Sequence, residues 1–269
     1  MKKINFWETD VGLKDFIYQK KIFKQNFPNE GNYVIKLQNQ IKKMLNVKYC
    51  IALPSCTSAL FLAVKILNLK KNQEILIPNI TFAASANAAF MAGVKIKFVD
   101  VNPETLNIDL SDLRKKINKN TKAIMPVHVS GRACDMSSIM KIAKKKKLYV
   151  IEDAAEAFLS KYKKRFLGTI GHMGCFSLSP NKIFTSGQGG LLVTNNKQYY
   201  KKLSVFKTQG RVGSTTGGND LHISAGGNFK LSNISAGLAI TQLKKVNSRK
   251  KILVKNHLNY KNGLKKIQK

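Results

Sequence analysis

Residues 176–190 read FSLSPNKIFTSGQGG: an apolar run ending in polar residues, a single lysine at 182, and a glycine turn leading into a second apolar run, Leu191-Leu192-Val193. As strand, turn and strand, this stretch sets Lys182 at a strand end inside the fold. Desolvation favours the neutral amine, the form that attacks a carbonyl, so a lysine placed there is a candidate for Schiff-base chemistry. The plain alternative is one more solvated lysine in a chain crowded with them.

Upstream, 148–153 (LYVIED) reads as a strand whose last residue, Asp153, precedes the small pair Ala154-Ala155. A carboxylate at that sheet edge needs a cationic partner, for which a protonated pyridine nitrogen would serve; as a plain helix N-cap it needs none. Further upstream, strands are expected at 49–53, 74–78, 95–100 and 122–129. Helices are expected at 59–67, 81–91, 112–117 and 136–145, after helical patterning to residue 45 that a Pro/Asn/Gly loop interrupts at 27–32. Between strand 49–53 and the helix that follows lies Ser55-Cys56-Thr57-Ser58. Small hydroxylated residues at a helix start either cap the helix or offer N–H groups, hydroxyls and the positive dipole end to a phosphate. Downstream come a hairpin at 160–168, a strand to 195, a helix at 198–206, a glycine-rich loop at 210–227, and a long lysine-faced helix from about 232 to the end.

Strands alternating with helices predict an α/β fold with a mostly parallel sheet covered on both faces. Ligands of such sheets collect at the carboxyl ends of the strands, where Thr57, Ser58 and Asp153 all fall. The net charge of +33 comes almost entirely from lysine, the arginines being Arg114, Arg132, Arg165, Arg211 and Arg249. Without arginine clusters such an excess argues against a nucleic-acid surface, though its field attracts anionic small molecules. The absence of an apolar span of eighteen residues, and an N-terminus that turns acidic before a signal-peptide core can form, predict a cytoplasmic protein with no membrane partner. Cys50, Cys56, Cys134 and Cys175 are scattered through apolar segments, as buried thiols are, so neither disulfide nor metal site is expected.

Seven segments fall together in one order: SCTSALFLAVKIL, ILIPNITFAASANAAFMAG, KFVDVNPETLNID, TKAIMPVHVSG, VIEDAAEAF, GCFSLSPNKIFTSGQGG and GNFKLSNISAGLAITQL. In these the chain resembles the DegT/DnrJ/EryC1/StrS sugar aminotransferases, pyridoxal-phosphate (PLP) enzymes of the aspartate-aminotransferase fold. The resemblance implies that Lys182 carries the cofactor, that Asp153 pairs with its ring nitrogen and that Phe82 stacks on its ring. It places Thr57, Ser58 and Ser177 at the phosphate, Glu156 beside the cofactor where glutamine or histidine is commoner, and Asn228 at the phosphate of a neighbouring subunit. Gln188 for a frequent glutamate and Cys56 for a frequent glycine are further departures. The implied reaction moves an amino group from glutamate to a nucleotide-linked keto-sugar in a homodimer with shared sites. The expected organisation is a helical segment at 1–45, a PLP-binding large domain at 46–230, and a helix at 231–269 leading to a C-terminal domain that family members carry and this chain largely lacks. Two other readings are a sugar dehydratase, against which Lys182 argues because the family's dehydratases of this type lack the lysine, and a catalytically silent regulatory protein.

Overall fold

Alternation along each strand decides which layer its side chains enter. In β1 (Tyr49–Leu53) Cys50 and Ala52 enter one apolar layer while Ile51 and Leu53 enter the other; in β2 (Glu74–Pro78) Leu76 opposes Ile75 and Ile77; in β9 (Gly190–Thr194) Leu191 and Val193 oppose Leu192. A sheet apolar on both faces must be covered on both, and it is. One face carries α2 (Asn32–Leu45), α6 (Met136–Lys146) and α8 (Asn233–Leu243), and the other α3 (Cys56–Lys65), α4 (Ala84–Met91) and α7 (Lys197–Phe206). The remaining strands are β3 (Lys95–Val99), β4 (Thr121–Ile124), β5 (Tyr149–Asp153) and β8 (Met173–Ser177). The computed structural model describes residues 5, 8–212, 221–265 and 267.

The described strands form a seven-stranded sheet in the order β1-β9-β8-β5-β4-β2-β3. Antiparallel pairing occurs only where β9 meets β1 and β8; the other neighbours are parallel. The mostly parallel α/β sheet expected from the alternation is therefore present. Edge strand β3 exposes Lys95 and half-exposes Lys97, charges that discourage further strand pairing. A separate hairpin, β6 (Lys161–Tyr162) and β7 (Arg165–Phe166), turns through Lys163 and Lys164. Helices α1 (Leu13–Phe23), α5 (Leu110–Lys116) and α9 (Val246–Leu264) complete the set. Among the described residues no helix is long and apolar enough to cross a membrane.

The structure departs most from the expectations at the starts of two helices, the end of one strand and the division of one helix. The helix after β1 starts at Cys56, three residues early, because Ser55 is its cap and accepts from Ser58 N–H at 3.0 Å. The alanine-rich helix begins at Ala84 instead of 81, and β4 ends at Ile124 instead of 129. The single lysine-faced helix from 232 is two helices: at Lys244 and Lys245 the amides bond to Thr241 and Gln242 carbonyls, a tight turn that ends α8. Helix α8 is buried, and a Cβ on its Gly237 would stand 2.0 Å from Ile22 Cδ1, so any larger residue there would have to turn the Ile22 side chain of α1 aside. Of the glycine-rich loop expected at 210–227, residues 213–220 lie outside the described residues.

Candidate active site

Lys182 stands on a loop closed at its base by Leu178, whose N–H donates to Gly189 O (2.9 Å) and whose carbonyl accepts from Ser186 N (3.1 Å) and Thr185 Oγ1 (2.8 Å). Phe184 anchors the loop, fully buried against Phe158 with ring centroids 4.7 Å apart. On the other side of Lys182, Ile183 O accepts from Arg249 Nη1 at 2.8 Å, and the second terminal nitrogen of that guanidinium holds Asp10 Oδ2 at 2.8 Å. The loop is thus fixed on both flanks while the lysine itself faces a cavity of about 920 Å³ shared with Glu156, Ser177, Ser130 and Arg249.

Lys182 Nζ lies 3.4 Å from Glu156 Oε1, and Glu156 Oε2 accepts from Ser130 N–H at 2.8 Å. Ser130 presents that amide from a left-handed backbone conformation (φ 51°, ψ 32°). With the two side chains 18% and 49% exposed, the ion pair is worth at most about 1 kcal/mol. It orients the amine without locking it.

Asp153 ends β5 and is only 4% exposed. The backbone here is held from both sides: on one, Asp153 N–H donates to Pro126 O (2.9 Å) and its carbonyl accepts from His128 N (3.0 Å), both in the segment after β4; on the other, Ala154 N donates to Cys175 O of β8 (2.9 Å). The carboxylate accepts from Ser85 Oγ at 2.6 Å and Ala155 N–H at 3.1 Å. Burial pushes its pKa above the usual carboxylate value, against the pull of these two hydrogen bonds and of His128, and Glu156 adds to the rise.

The start of α3 meets the same corner. Ser177 of β8 pairs with Gly190 of β9, which pairs with Leu53 at the end of β1, so the chain ends leading to α3 and to Lys182 are adjacent. The Cys56 thiol is pushed up by burial first, then by Asp153 and Cys175, and pulled down by Lys182, which puts this first helical turn within electrostatic reach of both groups. Thr57 and Ser58 are half-buried in that turn, where free N–H groups point outward along the helix axis. Ser177 Oγ donates to Ser179 Oγ at 3.0 Å and accepts from Ser179 N–H at 3.3 Å.

Lys182, Glu156 and Ser177 thus line one cavity, whereas Asp153, Thr57 and Ser58 do not line it and sit at the adjoining strand and helix ends. Phe82 stands apart in exposure, at 83%, just before α4. Asn228 is exposed, bridges to Thr208, and does not line the cavity.

Sequence reasoning missed Ser85, Arg249 and Glu152. Nothing in the run FAASANAAF distinguishes Ser85 from its helical neighbours. Glu152, fully buried, accepts from Ile170 N and Gly171 N at 2.6 Å, Gly168 N at 2.8 Å and His128 Nε2 at 2.9 Å. His128 Nε2 donates to Glu152, and Cys134 N–H lies 3.3 Å from His128 Nδ1. The set fixes the turn 168–171 that feeds β8.

A lysine on a closed loop and a buried carboxylate, both at the carboxyl ends of a mostly parallel and doubly covered sheet, fit the α/β class of the PLP-dependent aminotransferases. Solved aminotransferases share that fold. Helicobacter pylori PseC, an aminotransferase involved in the biosynthesis of pseudoaminic acid, superposes with a TM-score of 0.87 at 27% identity over 91% of this chain and 66% of its own. The aminotransferase from Psychrobacter cryohalolentis gives 0.85 at 31% identity over 90% and 64%. In sequence, GDP-perosamine synthase of Escherichia coli O157:H7 is 37% identical over 244 residues, 90% of this chain and 66% of that protein. Residues 14–269 match the DegT/DnrJ/EryC1/StrS aminotransferase family, and the chain belongs to it. It spans just under two thirds of the length of these relatives.

Proposed function

We propose that the chain is a PLP-dependent aminotransferase, a cytoplasmic homodimer that transfers an amino group from glutamate to a nucleotide-linked keto-sugar for cell-surface polysaccharide or amino-sugar synthesis. The observation that carries this reading is an accessible lysine, Lys182, on the loop that follows β8, and a buried carboxylate, Asp153, at the end of the neighbouring strand β5. The cofactor's chemistry fits the residues present. Asp153 forms no salt bridge among the described residues, so its buried charge is open to a cationic ring nitrogen. The capped start of α3, with Thr57, Ser58 and Ser177 around it, offers donors to a phosphate.

When bound, pyridoxal phosphate supplies an electrophilic carbon and a ring that withdraws electrons from a breaking C–H bond. Lys182 Nζ would hold it and, when freed, would carry a proton from the substrate's α-carbon to the cofactor's reactive carbon, as general base and then as general acid. Asp153 would keep the proton on the ring nitrogen. Phe82 would supply a flat apolar face, Glu156 would orient the freed amine, and Asn228 of a second copy would reach the phosphate. The positive field of the chain assists entry of a diphosphate-bearing substrate.

The test is to load the purified protein with pyridoxal phosphate and follow its visible absorbance band in two separate half-reactions. Glutamate is expected to bleach the band with release of 2-oxoglutarate, and one of a panel of GDP- and UDP-linked keto-sugars to restore it. A band that glutamate leaves unchanged contradicts the proposal.

A further inference from the structure

Ser85 sits in the first turn of α4, fully buried, yet does not cap the helix: the N-cap is Ala83, and no side chain bonds to the free amides there. Alanine in its place would favour the helix by about 0.5 kcal/mol, so the hydroxyl serves something outside the helix. It donates to Asp153 Oδ2 at 2.6 Å. Thr81 Oγ1 lies 2.7 Å from Ser85 Oγ, and since Ser85 has spent its one hydrogen on the carboxylate, Thr81 is the donor of that pair. Thr81, Ser85 and Asp153 form a directed chain of hydrogen bonds that ends on the carboxylate.

We propose that Ser85, backed by Thr81, is a positioning residue that fixes Asp153 and preserves its full negative charge for the cofactor's ring nitrogen. This rests on the PLP reading above. Both oxygens of Asp153 are held, Oδ2 by Ser85 and Oδ1 by Ala155 N–H, so the group cannot rotate without losing a bond. The other charged or titratable groups around it are His128, Glu152, Glu156, Cys56, Cys175 and Lys182; of those that act on its titration, His128 favours the charged form and Glu156 opposes it. Among these neighbours the hydrogen bond from Ser85 is the strongest influence against the effect of burial. The chain also has a second polarity. If Asp153 takes up a proton, its O–H donates to Ser85, Ser85 to Thr81, and Thr81 to the carbonyl of Phe82, 3.3 Å away. Hydroxyl orientation in the chain therefore follows the protonation of Asp153.

Two measurements on wild type, Ser85→Ala and Thr81→Val test this. One is the titration of the Asp153 carboxyl by carbon NMR in the cofactor-free protein. The other is affinity for pyridoxal phosphate against its deaza analogue, which has carbon in place of the ring nitrogen. Ser85→Ala is expected to titrate at a higher pH than wild type and to lose about tenfold in affinity for pyridoxal phosphate, with affinity for the analogue unchanged. Thr81→Val should move both in the same direction by less, which keeps the test valid if Ser85→Ala folds poorly. An unmoved titration, or equal weakening toward both cofactors, overturns the proposal and makes Ser85 a packing residue. If wild type binds neither cofactor the PLP reading fails, while the titration still decides whether Ser85 governs Asp153.

Discussion

A Cβ on Gly190 would stand 2.3 Å from the carbonyl oxygen of Ser55 and 2.5 Å from the amide nitrogen of Cys56. Both are backbone atoms, so no rotamer relieves the clash, and the first residue of β9 has to be glycine for α3 to begin where it does. Gly190→Ala is expected to destabilise the protein by about 1–3 kcal/mol by pushing the two elements apart. Because the displaced element is the start of α3, affinity for pyridoxal phosphate should fall further than for a mutation of equal cost elsewhere in the core. Urea denaturation and a cofactor titration on the same variant check both effects.

For Asp153 the structure sets function against stability. Its pKa is raised, so the folded state binds the proton more tightly than the unfolded chain, and stability falls as pH rises from the ordinary carboxylate value through the raised one. Above that window the ionised form carries the whole penalty. Asp153→Asn should therefore raise the Tm of the cofactor-free protein at neutral pH, and the gain should vanish below about pH 4. The amide is accommodated because the Ser85–Thr81 chain can reverse and accept from its NH2 group. In the loaded protein the same change should lower turnover by about 10²–10³, since an uncharged ring nitrogen withdraws electrons poorly. Thermal melts across pH and single-turnover rates measure the two sides.

Glu152, next to Asp153 in sequence, has an opposite character. Its two oxygens accept from three backbone amides and His128 Nε2, all within 2.9 Å. Glu152→Gln replaces one acceptor with a donor facing N–H groups, and a loss of about 3–5 kcal/mol is expected, measured by chemical denaturation. The damage should centre on the turn 168–171, visible as faster amide exchange there.

These neighbours mark where reading the sequence succeeds and where it stops. Ser177 and Asp153 end strands, and the alternation of strands and helices is enough to send strand ends to one edge of a parallel sheet; Lys182, expected at a strand end, stands instead on the loop between β8 and β9. Thr57 and Ser58 are legible for the same reason, although the exact cap, Ser55, is not. Ser85 and Glu152 are hidden because their partners lie 68 and 16 to 24 residues away, and nothing local separates a serine in an alanine-rich helix from a solvated one. The division between α8 and α9 is hidden by lysines: Lys244 and Lys245 continue a helical spacing, while the burial of α8 against α1 and α2 comes only with the tertiary packing. Arg249, one cation among 47, gains its meaning from Ile183 and Asp10.

The role of Lys182 is tested most directly by loading the protein with pyridoxal phosphate, reducing it with borohydride, and locating the label by peptide mass spectrometry. The predicted result is a single reduced adduct on the peptide that contains Lys182, absent from Lys182→Ala, which should also lose transamination. Label spread over surface lysines in the wild type, or a Lys182→Ala protein that still forms a stoichiometric adduct and turns over, would contradict it.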